Sequence, residues 1–388
     1  MIELSQPNFT KLEKKLLLKV LSSKKLVDGV YQDLAEKKIK NLINSNYVAL
    51  TQSCSSALEV AGILLKLRPK DEVLIPSFTF TSTANAVVMR GAKPVFVDIN
   101  EDNLNIDLDD LEKKINKRTK AIFVVHYGGF CSNIDKLLKI KNKYKIPLVE
   151  DAAHAFMTKY KNKYLGTFGD ISAFSFHATK NFVGAQCGAL VINNKKYIKD
   201  ADIILDKGTD RKRLISFKNK KITTSFSNKN YYSWKNIGSE YRATELSSAL
   251  LYAQLVRAKS LQSKRNKLWK FYYQELSKIN SDKFKIYNVL DPKIKQSFHL
   301  FILIFNSEKK ADKFRKYLIK NSIYASFHYI PLHISSFSKK ISSKTKLPIT
   351  EKIYKKIVRI PLHSSINFKN ASYIITKIKT FFKKFDEK

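Results

Sequence analysis

The chain has 388 residues with 44% hydrophobic content, enough for a sizeable core and two domains. No apolar stretch approaches membrane-spanning length, and Met1-Ile-Glu-Leu-Ser-Gln-Pro lacks the regions of a signal peptide, so a cytoplasmic chain with no membrane insertion is expected. The formal charge of +39 invites a nucleic acid, yet only ten of the 72 basic residues are Arg, they are scattered, and no reading element accompanies them, so no nucleic-acid partner is expected.

After an N-terminal helical segment, Tyr47-Val-Ala-Leu-Thr-Gln52 reads as a short strand. It leads into Ser53-Cys-Ser-Ser-Ala-Leu-Glu-Val-Ala-Gly-Ile-Leu-Leu65, whose apolar positions recur at helical spacing. Free N–H groups, a positive dipole end and several hydroxyls at such a start suit a phosphate. An ordinary serine N-cap accounts for the same pattern. Glu72-Val-Leu-Ile-Pro76 is the next strand, followed by Ser77-Phe-Thr-Phe80-Thr-Ser-Thr-Ala-Asn85. The two aromatics at this junction fit either a ring that stacks on a flat cofactor or core packing.

Strands at Pro94 to Asp98 and Ala121 to His126 alternate with helices at Leu108 to Lys117 and Ile134 to Tyr144. Pro147-Leu-Val-Glu-Asp151-Ala-Ala-His154 then ends a buried strand in an acid. In Ser172-Ala-Phe-Ser-Phe-His-Ala-Thr-Lys180-Asn181 a lone lysine follows a second apolar strand, 29 positions beyond Asp151. Alone, the lysine is a surface charge and the aspartate a helix cap. Together they match the needs of pyridoxal phosphate (PLP), a lysine amine for a Schiff base and a carboxylate opposite the pyridinium nitrogen.

Ala189 to Asn193 completes a set of continuously apolar strands, the pattern of an α/β sheet covered on both faces. Its functional edge is the carboxyl ends of the strands, where Asp151 stands. One long helical region, Thr244 to Leu276, connects into a second domain. That domain is expected to hold a strand at Phe298 to Phe305, a helix at Glu308 to Asn321, a strand at Tyr324 to Tyr329 and a closing helix at Tyr373 to Phe385. The expected division is a large domain over 1–250 and a small one over 251–388. Three cysteines, Cys54, Cys131 and Cys187, show no metal spacing and no pairing pattern, so free thiols and no metal are expected.

The stretches Pro76 to Asn85, Gly91-Ala-Lys-Pro-Val-Phe-Val-Asp98, Val149 to His154 and Phe174 to Asn181 resemble the DegT/DnrJ/EryC1/StrS family of PLP-dependent sugar aminotransferases. The resemblance runs over nearly the whole chain. It implies the aspartate aminotransferase-like (type I) fold, a large mixed-sheet α/β/α domain plus a smaller C-terminal α+β domain. By the same resemblance Lys180 is the Schiff-base lysine, Asp151 the partner of the ring nitrogen, and His154 a neighbour of the cofactor's 3′ oxygen. Phe80 is the stacking ring, and Ser55, Ser56 and Ser175 hold the phosphate. Two departures stand out: Ala185-Gln186-Cys187-Gly188 replaces the family's Gly-Glu-Gly-Gly, and Glu240 stands where many relatives have an Asn that reaches the neighbouring subunit's phosphate.

Lys207-Gly-Thr-Asp-Arg211, Trp234-Lys-Asn-Ile-Gly238 and Phe327-His-Tyr-Ile-Pro-Leu-His333 resemble the branch that aminates C4 of dTDP-4-dehydro-6-deoxyglucose in enterobacterial common antigen synthesis. What this implies is a homodimer taking its amine from L-glutamate, with Lys207, Arg211, Arg213 and His328 as candidates for the nucleotide-sugar. The loop before Trp234 is longer than in that branch. C3 amination of a dTDP-3-keto-6-deoxy sugar keeps every cofactor residue and stays open. So does a non-catalytic, basic nucleic-acid binder on the same scaffold, against which the intact cofactor elements argue. A branch that dehydrates at C3 carries His at the lysine position, whereas here that position is Lys180.

Overall fold

The structure is a computed structural model and describes residues 1–210, 232–279, 282–287, 292–341 and 345–385. Its centre is a seven-stranded sheet built from β1 (Val48–Thr51), β2 (Glu72–Pro76), β3 (Lys93–Val97), β4 (Thr119–Val125), β5 (Leu148–Asp151), β8 (Ile171–Ser175) and β9 (Gly188–Ile192). The order is β1-β9-β8-β5-β4-β2-β3. Only β9 runs against the others, pairing antiparallel with both β1 and β8. Six strands therefore deliver their carboxyl ends to one edge of the sheet, and β9 begins at that edge.

Continuous apolarity in these strands has the expected cause. Within β4, Ile122 and Val124 enter one core while Ala121 and Phe123 enter the other. In β9, Ala189 and Val191 are split from Leu190 and Ile192 in the same way. Alternate residues point to opposite faces, so a strand with helices on both sides must be apolar throughout. A short ladder of β6 (Lys159–Tyr160), β7 (Lys163–Tyr164) and β11 (Ile294–Lys295) lies outside this sheet.

A separate sheet of β10 (Phe284–Ile286), β12 (Phe301–Phe305) and β13 (Ile357–Ile360) carries the second core, with the helices Ala258–Leu276, Glu308–Lys320 and Phe368–Phe385. The amino terminus joins it, because Ile2 bridges Ile323.

Three expected elements differ. The long helical region is two helices, Glu245–Val256 and Ala258–Leu276, broken at Arg257. Arg257 is drawn out of the run by Asn8 and Glu13 of the amino-terminal segment. A boundary between 250 and 251 cuts the first of these helices, and we propose Arg257 as the division instead. β12 starts at Phe301 rather than Phe298, because Arg265 takes the carbonyls of Phe298 and His299 and Trp269 takes that of Leu300. Tyr324 to Tyr329 is not a strand. Apart from one bridge between Ser326 and Arg359, it crosses from the second sheet toward the large one. Tyr127 Oη holds it there by donating to the His328 carbonyl at 3.1 Å.

Candidate active site

A cavity of about 710 Å³ opens at the carboxyl edge of the large sheet and is closed from the other side by the 326–329 segment and β13. Its lining contains Ser55, Ser56, Phe80, Asp151, His154, Ser175, Lys180 and His328. Eight of the eleven candidate residues are thus brought together from five separate segments.

Asp151 is the last residue of β5 and is buried. Its Oδ2 accepts from Thr83 Oγ1 at 2.8 Å and its Oδ1 from the Ala153 N–H at 3.1 Å. Burial raises its pKa against the opposing pull of these donors. A carboxylate in this state gains most from a cation placed against it. Lys180 ends the turn after β8, its N–H donating to the His177 carbonyl at 2.9 Å. Burial lowers the amine from 10.5 to about 8, with the charges of Cys54 and Asp151 resisting that fall. An amine poised there exchanges its proton readily near neutral pH.

His154 follows Asp151 by three residues. The Gly128 N–H donates to its Nδ1 at 3.3 Å, which leaves the neutral ring's proton on Nε2, 3.2 Å from the Tyr329 hydroxyl. Burial holds its pKa well below the usual value, so the ring is neutral. It stacks on His299, with centroids 4.3 Å apart, and His299 Nδ1 meets Asn181 Oδ1 at 2.8 Å. The residue after Lys180 is thereby tied to the ring that flanks the cavity.

The serine cluster is the start of the helix Cys54–Leu64. Ser53 is its N-cap, accepting from the Ser56 N–H at 3.0 Å. Ser55 Oγ lies 2.6 Å from Ser82 Oγ, which comes from the helix Thr81–Val88. The capping reading holds for Ser53, which also lines the cavity together with Ser55 and Ser56. Gly188 explains how the cluster is approached. A Cβ there would stand 2.3 Å from Ser53 C and 2.4 Å from Cys54 N, so only glycine lets β9 begin against this helix start. Ala185, just before it, carries the turn at φ +60, a region that costs a non-glycine residue of order 1 kcal/mol. Gln186 and Cys187 join the lining.

Phe80 is 58% exposed, which frees its face toward the cavity, with Tyr329 at 6.2 Å between centroids. Lys207 does not line the cavity. Its ammonium pairs with Glu240 and with Asp206 at 3.4 Å. The carboxylate at Glu240 is thus neutralised within this chain. Arg211 and Arg213, and the long loop before Trp234, lie outside the described residues. Sequence reasoning passed over Ser82, Thr83, Tyr329 and Arg359. Thr83 and Ser82 sat inside a quoted motif. Arg359 had a signal too, a single arginine in the apolar run Ile357-Val-Arg-Ile360.

The geometry fits the cofactor expected of it: a buried carboxylate, a lysine of lowered basicity and a serine-capped helix start converge on one space. The chain belongs to the DegT/DnrJ/EryC1/StrS aminotransferase family, whose model matches residues 7–379. The family's members are PLP-dependent aminotransferases, and this chain is one. Among curated relatives, UDP-4-amino-4,6-dideoxy-N-acetyl-beta-L-altrosamine transaminase of Campylobacter jejuni is 33% identical over 313 residues, 79% of this chain and 77% of that protein. GDP-perosamine synthase of Escherichia coli O157:H7 is 30% identical over 280 residues, 72% of each. Spr1654 of Streptococcus pneumoniae, solved in its PLP form, is 25% identical and superposes with a TM-score of 0.89 over 99% of both chains. Among the described residues, no helix is long and apolar enough to cross a membrane.

Proposed function

We propose that this chain moves the amine of L-glutamate onto the keto carbon of a nucleotide-linked 4-keto-6-deoxy sugar. The proposed substrate is dTDP-4-dehydro-6-deoxyglucose and the product dTDP-4-amino-4,6-dideoxygalactose, for surface polysaccharide synthesis. The observation that carries the aminotransfer is the placement of Lys180 and Asp151 in one cavity at the sheet edge. The names of the two curated relatives, one concerning a UDP-linked and the other a GDP-linked amino sugar, support a nucleotide-sugar, and the 4-amino of the UDP-linked one supports a C4 position. The motifs around Lys207 and His328 support the dTDP-linked sugar.

PLP bound here supplies a carbonyl for the amines and an electron sink for the carbon that loses a proton. Ser55, Ser56 and Ser175 are the residues that would hold its phosphate, beside the dipole end of the helix Cys54–Leu64. Asp151 would meet the ring nitrogen, where its charge would favour the protonated ring. Phe80 would lie against the ring face, and neutral His154 would orient the edge. Lys180 Nζ would be the amine that holds the cofactor until a substrate amine replaces it. It then takes the donor's α-proton as a general base and returns it as an acid, work suited to an amine titrating near 8. In our reading two copies of the chain form the working unit.

The test is to load the enzyme with L-glutamate and then offer dTDP-, UDP- and GDP-linked 4-keto and 3-keto sugars, reading product configuration by NMR. A dTDP-4-amino product of galacto configuration is expected. Preference for a 3-keto or non-thymidine substrate would refute the substrate while leaving aminotransfer standing. Light scattering that finds a catalytically competent monomer would refute the dimer.

A further inference from the structure

A second cavity, of about 480 Å³, lies between one face of the helix Ala258–Leu276 and the start of the helix Phe368–Phe385. It shares no lining residue with the active-site cavity. Lys264, Lys267, Leu268 and Phe271 line it from the first helix, at the i, i+3, i+4, i+7 spacing of a single face. The other wall is the run from His363 to Phe368. The amino-terminal segment pins that run: Asn8 Nδ2 donates to the Ser364 carbonyl at 3.2 Å, and Ser365 Oγ donates to the Pro7 carbonyl at 3.0 Å.

His363 is the residue that the fold alone does not explain. It is 4% exposed, and neither ring nitrogen has a hydrogen-bond partner. Three other buried imidazoles show the usual arrangement: His126 meets Glu150, His299 meets Asn181 and His333 meets Ser77. Burial first, and then the charge of Arg265, lowers the pKa of His363 to about 4, so the ring is neutral and carries one N–H. The Glu3 carbonyl opposes that fall without the alignment of a hydrogen bond. A buried donor without an acceptor destabilises a fold, and an apolar side chain of similar size avoids the cost.

The charge around this imidazole is of one sign. Among the described residues, no carboxylate pairs with Lys264 or Lys267, and Arg265 donates to the backbone carbonyls of Phe298 and His299 instead of to an acid. The helix Phe368–Phe385 adds its positive dipole end. Asn367 Oδ1 accepts from the Asn370 N–H at 2.8 Å, while the N–H groups of Phe368 and Lys369 have no acceptor among the described residues. Two lysines, an imidazole N–H and an open helix start outnumber the two oxygens of a carboxylate. They match the three oxygens and higher charge of a phosphoryl group. Phe368 supplies a different kind of contact. It is 76% exposed at the first position of its helix, and its ring lies 5.5 Å from that of Phe271 with the planes 51° apart. Both rings line the cavity, and an exposed phenyl beside an anion site is a platform for a flat ring.

We propose that this cavity binds a phosphomonoester carried on a flat heteroaromatic ring, with the phosphoryl group at Lys264, Lys267, His363 and the helix start and the ring on Phe368. Nucleoside monophosphates and B6 phosphates share that chemistry. The site is separate from the aminotransfer reading above and does not rest on it.

The test uses the PLP-loaded enzyme after borohydride treatment, so that a B6 phosphate cannot enter the active-site cavity. It is titrated calorimetrically with dTMP, pyridoxine 5′-phosphate, thymidine, glycerol 3-phosphate and inorganic phosphate. One of the first two should bind with a dissociation constant of about 0.1 mM or tighter, and whichever binds more tightly identifies the source. Thymidine lacks the phosphoryl group and glycerol 3-phosphate lacks the ring, so each should bind at least about 10-fold more weakly. The double variant Lys264→Ala with Lys267→Ala, and Phe368→Ala by itself, should each lose on the order of 10-fold in affinity. His363→Leu should lose a similar factor while its melting temperature holds or rises, which a merely structural histidine would not do. Binding that survives all three changes would place the ligand in the active-site cavity and overturn the proposal. So would inorganic phosphate binding as tightly as both ring-bearing phosphates, the behaviour of a plain charge patch, or failure of both to bind below about 1 mM. A lower melting temperature for His363→Leu with unchanged affinity would make the imidazole a packing residue and overturn it as well. If borohydride fixes no cofactor, the aminotransfer reading is what fails, and the comparison of variants still decides this one.

Discussion

The two walls of the cavity are built on different terms. On the large-sheet wall most polar groups already have partners: Asp151 has Thr83 and the Ala153 N–H, Ser55 has Ser82, and Ser56 has Ser53. On the opposite wall Arg359 Nε and His328 Nδ1 are buried without any. A largely satisfied wall is pre-set for a molecule that stays, as a cofactor does. An unsatisfied wall keeps its hydrogen bonds for molecules that come and go, as donor and acceptor must in turn. Pre-organisation and exchange are thus divided between the two sheets.

The sharpest way to break this comparison is to remove the one large-sheet group that must react. Lys180→Ala should lower turnover by about 10³-fold or more, because both covalent attachment and proton movement are lost. PLP should still bind through the serines and Asp151, but borohydride should no longer fix it to the chain, as peptide mass spectrometry would show. Turnover at the wild-type level would remove Lys180 from this role.

Asp151→Asn tests whether charge, rather than shape, is what β5 delivers. The amide oxygen can still accept from the Ala153 N–H while the new NH2 donates to the Thr83 hydroxyl, which can turn to accept, so circular dichroism and melting should be little changed. The rate of the glutamate half-reaction should drop on the order of 10²-fold, the effect of losing close to 3 kcal/mol of stabilisation at about 1.4 kcal/mol per factor of ten.

Gly188→Ala probes the approach of β9 to the helix start. The added Cβ meets backbone atoms of Ser53 and Cys54 rather than a movable side chain. Overpacking of this kind costs about 1–3 kcal/mol. A lower melting temperature should accompany weaker PLP binding, measured by fluorescence titration. Loss of stability without loss of affinity would detach Gly188 from the cofactor wall.

The smallest effect expected is in pH dependence. In cofactor-free protein, acetylation of Lys180 should be half-maximal near pH 8, against a usual lysine value of 10.5. Asp151 raises that amine, so Asp151→Asn should move the midpoint lower still. The sign for stability follows: the unfolded chain binds more protons between about 8 and 10.5, so this group makes the cofactor-free fold more stable as pH rises through that window. A Lys180 midpoint at the surface-lysine value would show that the pocket does not desolvate it.

The large-sheet wall was legible in the amino-acid order because its pieces are local. A strand followed by a capped helix, or an acid closing an apolar run, can be read within ten residues, and Asp151, Lys180 and the serines all belong to such units. Chain composition and strand apolarity likewise determined a two-faced α/β sheet, since burial on both faces demands it. The opposite wall was decided by tertiary contacts. Tyr324 to Tyr329 has the composition of a strand, but it is tied to the second sheet only by the bridge of Ser326 to Arg359 and is drawn across by Tyr127. The helix break at Arg257 depends on Asn8 and Glu13, roughly 250 positions away in sequence. Arg265 shortens β12 in the same manner, by claiming two carbonyls before a ladder can. Periodicity reports which face of an element is buried. Which partner competes for a side chain or a carbonyl is settled only when distant segments meet, and that is why the large-sheet wall of the cavity could be read in the sequence and the opposite wall, His328 apart, could not.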